Sequence, residues 1–369
     1  MSAPGLAKDL AAVRAAALPV LRGTNARLVP TLRETVDLLS TKDIYLGRIV
    51  GYHLGFNDAA GNPEPGDAGG LGGTMCLAAL AAKAAGATDR EIVTAAAAIE
   101  LAKDFTQLQD DIIDNDTVRR ERPSAWASFG VPRTVLAADA AKAAAFELLA
   151  AHGAGGAAAT AHLMAALDRC TFGQAQDISA ETRPFTGSGA MTLEDFRGVA
   201  RNKTCSILAC TYSLGAVLAA APPDLVTGLA GAGHSLGMAW QVLDDLLDLW
   251  GGPADALPYN DLRQGKKTFP LLAALGSGHP AAEELRTLLE TGLTEGDLPR
   301  AATLIERAGG RDATEAEVRR RFTTAITTLG TLPIPAAALT DLTAVSSLIG
   351  TRGSNKTITV AFPSGEVRR

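Results

Sequence analysis

Apolar residues recur at three- and four-residue spacing through long Ala- and Leu-rich stretches. That period predicts helices over Cys76–Ala85, Asp89–Leu108, Thr134–Ala151, Ala157–Phe172 and Leu229–Trp250. Glycine and proline gather between them, at Gly61–Gly73, Gly153–Gly156, Pro184–Gly189, Ala221–Asp224 and Gly251–Pro258, and each cluster reads as an inter-helix loop. Strand-like patterning is confined to one short stretch, Thr357–Phe362. The expected fold class is all-α. A single helical domain over residues 1–350 is expected, followed by a C-terminal tail, 351–369.

Composition sharpens this picture. With 369 residues, 47% of them hydrophobic and 20% charged, the chain can bury a large core. The net charge of −6 provides no basic field, so nucleic acid is not an expected partner. Lys8, Asp9 and Arg14 interrupt any secretory apolar run, and no stretch has the length and character of a membrane span. A cytoplasmic protein without stable membrane insertion is expected. Cys76, Cys170, Cys205 and Cys210 lack paired spacing and read as ordinary buried thiols. The glycine-rich segment Gly61–Gly73 lacks the GxxxxGK[ST] pattern and a preceding strand, so it reads as a loop and not as a phosphate cradle.

The chemistry lies in two acidic clusters. LQDDIID places Asp110, Asp111 and Asp114 at i, i+1 and i+4, and LDDLLD repeats the spacing at Asp244, Asp245 and Asp248. Carboxylates four apart share one helix face, about 6 Å apart along the axis, and repel unless a cation lies between them. Hard carboxylate oxygens suit Mg²⁺, which completes its octahedron with water and phosphate oxygens. Two such clusters on facing helices could hold metal ions on either side of a diphosphate and turn it into a leaving group.

With these motifs in view, the sequence resembles the trans-isoprenyl diphosphate synthases, or polyprenyl synthetases. DDIIDNDTVRRERPSAW, FGQAQD (Phe172–Asp177), NKT (Asn202–Thr204), GMAWQVLDDLLD (Gly237–Asp248) and DLRQGKKTFP (Asp261–Pro270) follow that family's order over residues 40 to 275. The resemblance implies a helical bundle around a deep cavity, a homodimer, three Mg²⁺ ions held by the six aspartates, and a prenyl diphosphate substrate. It further implies diphosphate contacts from Arg119, Arg120, Lys203 and Lys266, with Gln174 and Gln241 facing the cavity. Phe105, five residues before Asp110, stands where chain length is limited and points to C15–C20 substrates.

The chain also departs from the family pattern. Where the acceptor, isopentenyl diphosphate, meets a Lys and an Arg in GKxxRP, this chain has Leu71 and Thr74; the pre-aspartate His is replaced by Lys103, and a later lysine by Ala256. Losing two cations from a diphosphate pocket costs about 1.5–3 kcal/mol for each charged hydrogen bond. Lys103 and Arg48 are candidate substitutes. An intact ionisation site beside a depleted acceptor site leads to the expectation of terpene cyclisation, with Phe105, Phe172 and Trp240 lining an apolar cavity. The alternatives are elongation of farnesyl or geranylgeranyl type with isopentenyl diphosphate, transfer to another acceptor, and a non-catalytic subunit.

Overall fold

The computed structural model describes residues 4–64, 73–251 and 258–349, with the side chains of 4–11 and 349 excepted. Leu71, Ala256, the stretch Thr357–Phe362 and the tail 351–369 therefore lie outside the described residues.

Sixteen α-helices run through the described residues. The first six are α1 (Pro4–Lys42), α2 (Ile44–Leu54), α3 (Gly73–Ala84), α4 (Asp89–Ile113), α5 (Ala125–Phe129) and α6 (Val131–Ala150). Next come α7 (Gly156–Glu181), α8 (Leu193–Asn202), α9 (Thr204–Leu218) and α10 (Pro223–Trp250). Six shorter or peripheral helices complete the chain: α11 (Asn260–Arg263), α12 (Phe269–Leu275), α13 (Pro280–Glu290), α14 (Leu298–Arg307), α15 (Gly310–Thr331) and α16 (Ala336–Ile349). No helix among the described residues is long and apolar enough to cross a membrane.

The two helices that carry the acidic clusters are specified locally. α4 opens on a capping box in which the Thr88 hydroxyl accepts from the Glu91 amide and Glu91 accepts from the Thr88 amide. The alanine run Ala95–Ala98 is then buried all round, with α3 and α6 packed against it. α10 begins at Pro223 and lies against α9 and α15. A Cβ on Gly233 would stand 2.3 Å from the Leu208 carbonyl oxygen, and one on Gly237 would stand 2.8 Å from the Cys205 Cα. Glycine at both positions lets the α9 and α10 backbones touch.

The chain also forms one element that alternation does not announce. β1 (Val118–Arg119) and β2 (Arg122–Pro123) make a two-stranded hairpin with Arg119 paired to Arg122. Its two turn residues, Arg120 and Glu121, both have positive φ, at 54° and 63°. That is the type I′ geometry, which usually draws Asn or Gly. Non-glycine residues stay there only when their surroundings hold them.

Candidate active site

Three helix ends and one loop converge. Asp114 is the C-cap of α4, Asp248 lies in the last turn of α10, Lys203 joins α8 to α9, and Lys266 follows α11. The Lys203 ammonium lies 3.3 Å from Asp110 Oδ1 and 2.8 Å from Asp177 Oδ2. Lys266 lies 2.9 Å from Asp114 Oδ2 and 3.9 Å from Asp261 Oδ1. Burial alone would lower both lysines, but the surrounding carboxylates more than reverse it and hold both ammonium groups charged. The first cluster is thus linked to α7 through Lys203 and to the loop after α10 through Lys266.

The second cluster is anchored by backbone. Buried Asp245 accepts from the Phe269 amide at 2.8 Å and from Gln241 Nε2 at 3.2 Å, while Gln241 accepts from the Thr204 hydroxyl. Asp248 accepts from the amides of Asn260 and Asp261 at 2.9 and 3.3 Å, whereas Asp244 is exposed on α10. Burial, reinforced by Asp261, pushes Asp248 up to about 7 and Asp245 well above the carboxylate range. Asp116 rises to about 6 through burial and its acidic neighbours Asp114 and Asp111. These groups share a surplus of negative charge.

Arg119 and Arg120 reach the site on the hairpin. Arg119 Nε donates to both oxygens of buried Asp111, at 2.6 and 2.9 Å. Arg120 donates to the His53 carbonyl at 2.6 Å and to Gln107 at 3.1 Å; Arg122 donates to the Tyr52 carbonyl and, at 2.8 Å, to Glu64. Two guanidinium groups therefore grip consecutive carbonyls at the C-terminus of α2, where the helix dipole is negative. The Tyr52 hydroxyl closes the arrangement by donating to the Pro123 carbonyl at 2.6 Å. This grip holds Arg120 and Glu121 at positive φ.

The acceptor-side positions are occupied as follows. Thr74 is buried on α3, and Lys103 pairs with buried Glu100, so its ammonium is already engaged. Beside it, His53 Nδ1 bonds Asp104 in a fully buried pair. His53 Nε2, Asp104 Oδ2 and Glu100 Oε2 have no hydrogen-bond partner among the described residues. Arg48 is not swung toward this group; it lies against the Tyr45 ring on α2.

The three aromatic candidates are not brought together. Phe105 is buried between α4 and α6 with the Lys142 ammonium 4.3 Å above its ring. Trp240 packs half-buried in a different part of the core, with α3, α9 and α15, and Phe172 is 59% exposed on α7. The neighbour of Phe172, Gly173, turns toward the bundle instead, because a Cβ there would stand 2.3 Å from the Lys203 amide nitrogen. Gln174 is half-buried; its neighbours Gln176 and Asp177 make the contacts, to Asn202 and Lys203. Asp177 and Asp261 touch Lys203 and Lys266, and Tyr52 and Arg122 tie the hairpin to α2; motif reading singled out none of the four. Asp177 was signalled by its place four residues after Gly173 on one helix face.

Residues 71–305 match the family model described as polyprenyl synthetase. The chain is 35% identical to the (2E,6E)-farnesyl diphosphate synthase of Mycobacterium tuberculosis, over 88% of this chain and 91% of that one. It is 34% identical to the geranylgeranyl diphosphate synthase of the same organism, over 89% and 92% of the two chains. A solved polyprenyl synthetase from Streptomyces coelicolor superposes with a TM-score of 0.80 at 35% identity, covering 90% of this chain and 99% of that one. The expectation of terpene cyclisation is overturned: relatives matching nearly the whole chain are named as diphosphate synthases, and the aromatic rings invoked for a cyclase cavity do not meet. The bundle, the order of its motifs and these relatives agree that the chain is an enzyme of the prenyltransferase type and belongs to the polyprenyl synthetase family, the trans-isoprenyl diphosphate synthases.

Proposed function

We propose that this enzyme elongates an allylic prenyl diphosphate with isopentenyl diphosphate, releasing inorganic diphosphate and a farnesyl- or geranylgeranyl-length product. The observation that carries the reading is the cavity lined by Asp177, Lys203, Gln241, Asp245, Asp261 and Lys266, whose two lysines are paired to Asp110 and Asp114 of the first cluster. Relatives named farnesyl and geranylgeranyl diphosphate synthases support the same chemistry.

Mg²⁺ fits the donor set. Among the described residues no three carboxylates stand as a preformed cage, but Mg²⁺ takes only one or two carboxylates and fills its shell with phosphate oxygens and water. Burial first, and neighbouring carboxylates second, raise Asp116 and Asp248, and a divalent cation would favour their ionised forms. Asp110, Asp111 and Asp114 would hold metal on one side, and Asp244, Asp245 and Asp248 on the other. Bound Mg²⁺ would neutralise the leaving diphosphate as the C–O bond breaks.

The side chains do the rest. Lys203, Lys266 and Arg119 bind the allylic diphosphate, Gln241 holds Asp245 in place, and Arg120, positioned by the His53 carbonyl and Gln107, adds positive charge on the acceptor side. The alkene of isopentenyl diphosphate attacks the allylic carbon as the diphosphate leaves, and the released diphosphate takes the proton lost as the new alkene of the product forms. Phe105 sets the depth available to the growing chain. A homodimer completes the reading on the family's pattern. Incubation with Mg²⁺, geranyl or farnesyl diphosphate and isopentenyl diphosphate tests it. Longer diphosphates that form only when isopentenyl diphosphate is present are expected; failure to consume isopentenyl diphosphate would overturn the proposal.

A further inference from the structure

A second cationic cavity lies away from this site. It occupies about 260 Å³ between α1, α2 and the loop that follows α2, and is lined by Arg33, Asp37, Ile44, Arg48, Phe56 and Gly61 among others. Ile44, Gly47 and Arg48 are spaced i, i+3 and i+4 and form one face of α2. His53, nine residues beyond Ile44, is two and a half turns on and faces the opposite side, toward Asp104. The cavity is therefore separated from the acceptor side by the thickness of a helix.

Its two arginines are held but not neutralised. The Arg33 guanidinium lies 4.3 Å above the Phe56 ring, and that of Arg48 lies 5.6 Å from the Tyr45 ring. Among the described residues neither makes a hydrogen bond or an ion pair. Stacking on Phe56 fixes the Arg33 guanidinium without using its N–H donors, whereas the Tyr45 ring beside Arg48 is held more closely by Arg133, at 4.1 Å. The loop is shaped to the second arginine: at Gly61, with φ of +92°, a Cβ would meet Arg48 Nε at 3.0 Å. The nearby Asn57 amide is occupied by the carbonyls of Arg48 and Asp58, and the N-terminus of α2 by the Asp43 carboxylate. Among the described residues, the charged groups lining the cavity are the Arg33 and Arg48 guanidinium groups and the Asp37 carboxylate, while the Ser40 hydroxyl donates to the Val36 carbonyl.

We propose that Arg33 and Arg48 form an anion site for a phosphate or diphosphate group. Guanidinium forks match tetrahedral phosphate oxygens bidentately. The volume falls below the roughly 300–1,000 Å³ of pockets that enclose a drug-sized ligand, so the site takes the anionic group and not a prenyl chain. Asp37 weakens it and sets its affinity. Unlike the aspartate-lined mouth, this cavity needs no metal.

Inorganic diphosphate titrated into the full-length protein in excess EDTA, read by calorimetry, tests the site. One metal-independent binding event is expected, weakened at least tenfold in Arg33→Gln and in Arg48→Gln and unchanged in Lys203→Gln and Lys266→Gln. Tighter binding is expected in Asp37→Asn, which keeps the proposal testable if an arginine variant does not fold. No metal-free binding, binding that survives both arginine substitutions, or binding abolished by the lysine substitutions would each overturn it. Because product formation is not measured, the outcome is separate from the fate of the elongation reading.

Discussion

Lys266 Nζ lies 2.9 Å from Asp114 Oδ2 although 152 positions separate the two residues. The contact joins the end of α4 to the loop beyond α10, so the first acidic cluster and the segment behind the second are positioned by one ion pair. Lys203 does the same from α9 toward Asp110. A charged hydrogen bond contributes about 1.5–3 kcal/mol, or roughly 10- to 150-fold. Lys203→Ala and Lys266→Ala are each expected to lower kcat/KM for the allylic substrate within that range. Steady-state kinetics at saturating Mg²⁺ measures it, and a change below threefold would remove these lysines from the site.

The raised carboxylates give a pH dependence of definite sign. Asp248 sits at about 7 and Asp116 at about 6 in the folded chain, above the usual 3.8, so the folded state holds more protons than the unfolded one between pH 4 and 7. Stability of the metal-free protein should therefore fall as pH rises through that window. Mg²⁺ binds the ionised form, so its affinity should rise over the same interval. Melting curves at pH 5, 6, 7 and 8, with EDTA or with Mg²⁺, should diverge toward high pH; parallel curves would contradict the assignment.

Leu71 and Thr74 stand where the family pattern has cations. A high KM for isopentenyl diphosphate is expected, with an ordinary KM for the allylic partner. Restoring one charge in Leu71→Lys should lower the former by about tenfold, the value of one modest charged hydrogen bond. Initial rates at varied isopentenyl diphosphate provide the measurement, and an unchanged KM would mean that the acceptor diphosphate is held elsewhere.

Phe105→Ala should lengthen the product by at least one C5 unit, as removal of the ring opens space between α4 and α6. It should also cost about 3–5 kcal/mol of stability, the usual range for a buried Phe cut to Ala. Chromatography of the dephosphorylated products and denaturant unfolding read the two effects. A shorter product would show that the ring does not limit the chain.

Gly173→Ala should impair catalysis without touching a charged group. Its new methyl would press on the Lys203 backbone at 2.3 Å, a distance that real Cβ atoms do not tolerate. The junction of α8 and α9 must move, and Lys203 with it. A selective loss in kcat/KM for the allylic substrate is expected, with Mg²⁺ binding to the second cluster retained.

Much of this was legible in the chain. The Ala- and Leu-rich stretches located α3, α4, α6, α7 and α10, because strong helix formers fill them and glycine and proline gather at their ends. The six aspartates announced themselves by repeated spacing inside apolar helices. The hairpin did not, since four paired residues carry no period and its turn residues, Arg120 and Glu121, are unusual at positive φ. Tyr52 and Arg122 were equally silent: Arg122 acts through the backbone carbonyl of Tyr52 and Arg120 through that of His53, and a carbonyl leaves no mark on residue identity. The expectation of cyclisation came from taking the departures at Leu71, Thr74 and Lys103 to exclude the acceptor altogether, and from placing Phe105, Phe172 and Trp240 on one wall; the fold places them in separate environments.

The glycine seam between α9 and α10 has a mechanical meaning. At Gly233 and Gly237 the two backbones meet with no side-chain layer between them, so there is nothing for one helix to slide upon. Lys203 at the head of α9 and the aspartates near the foot of α10 are thereby carried on a single stiff beam. Whatever adjustment accompanies substrate entry must come from the connections at its ends.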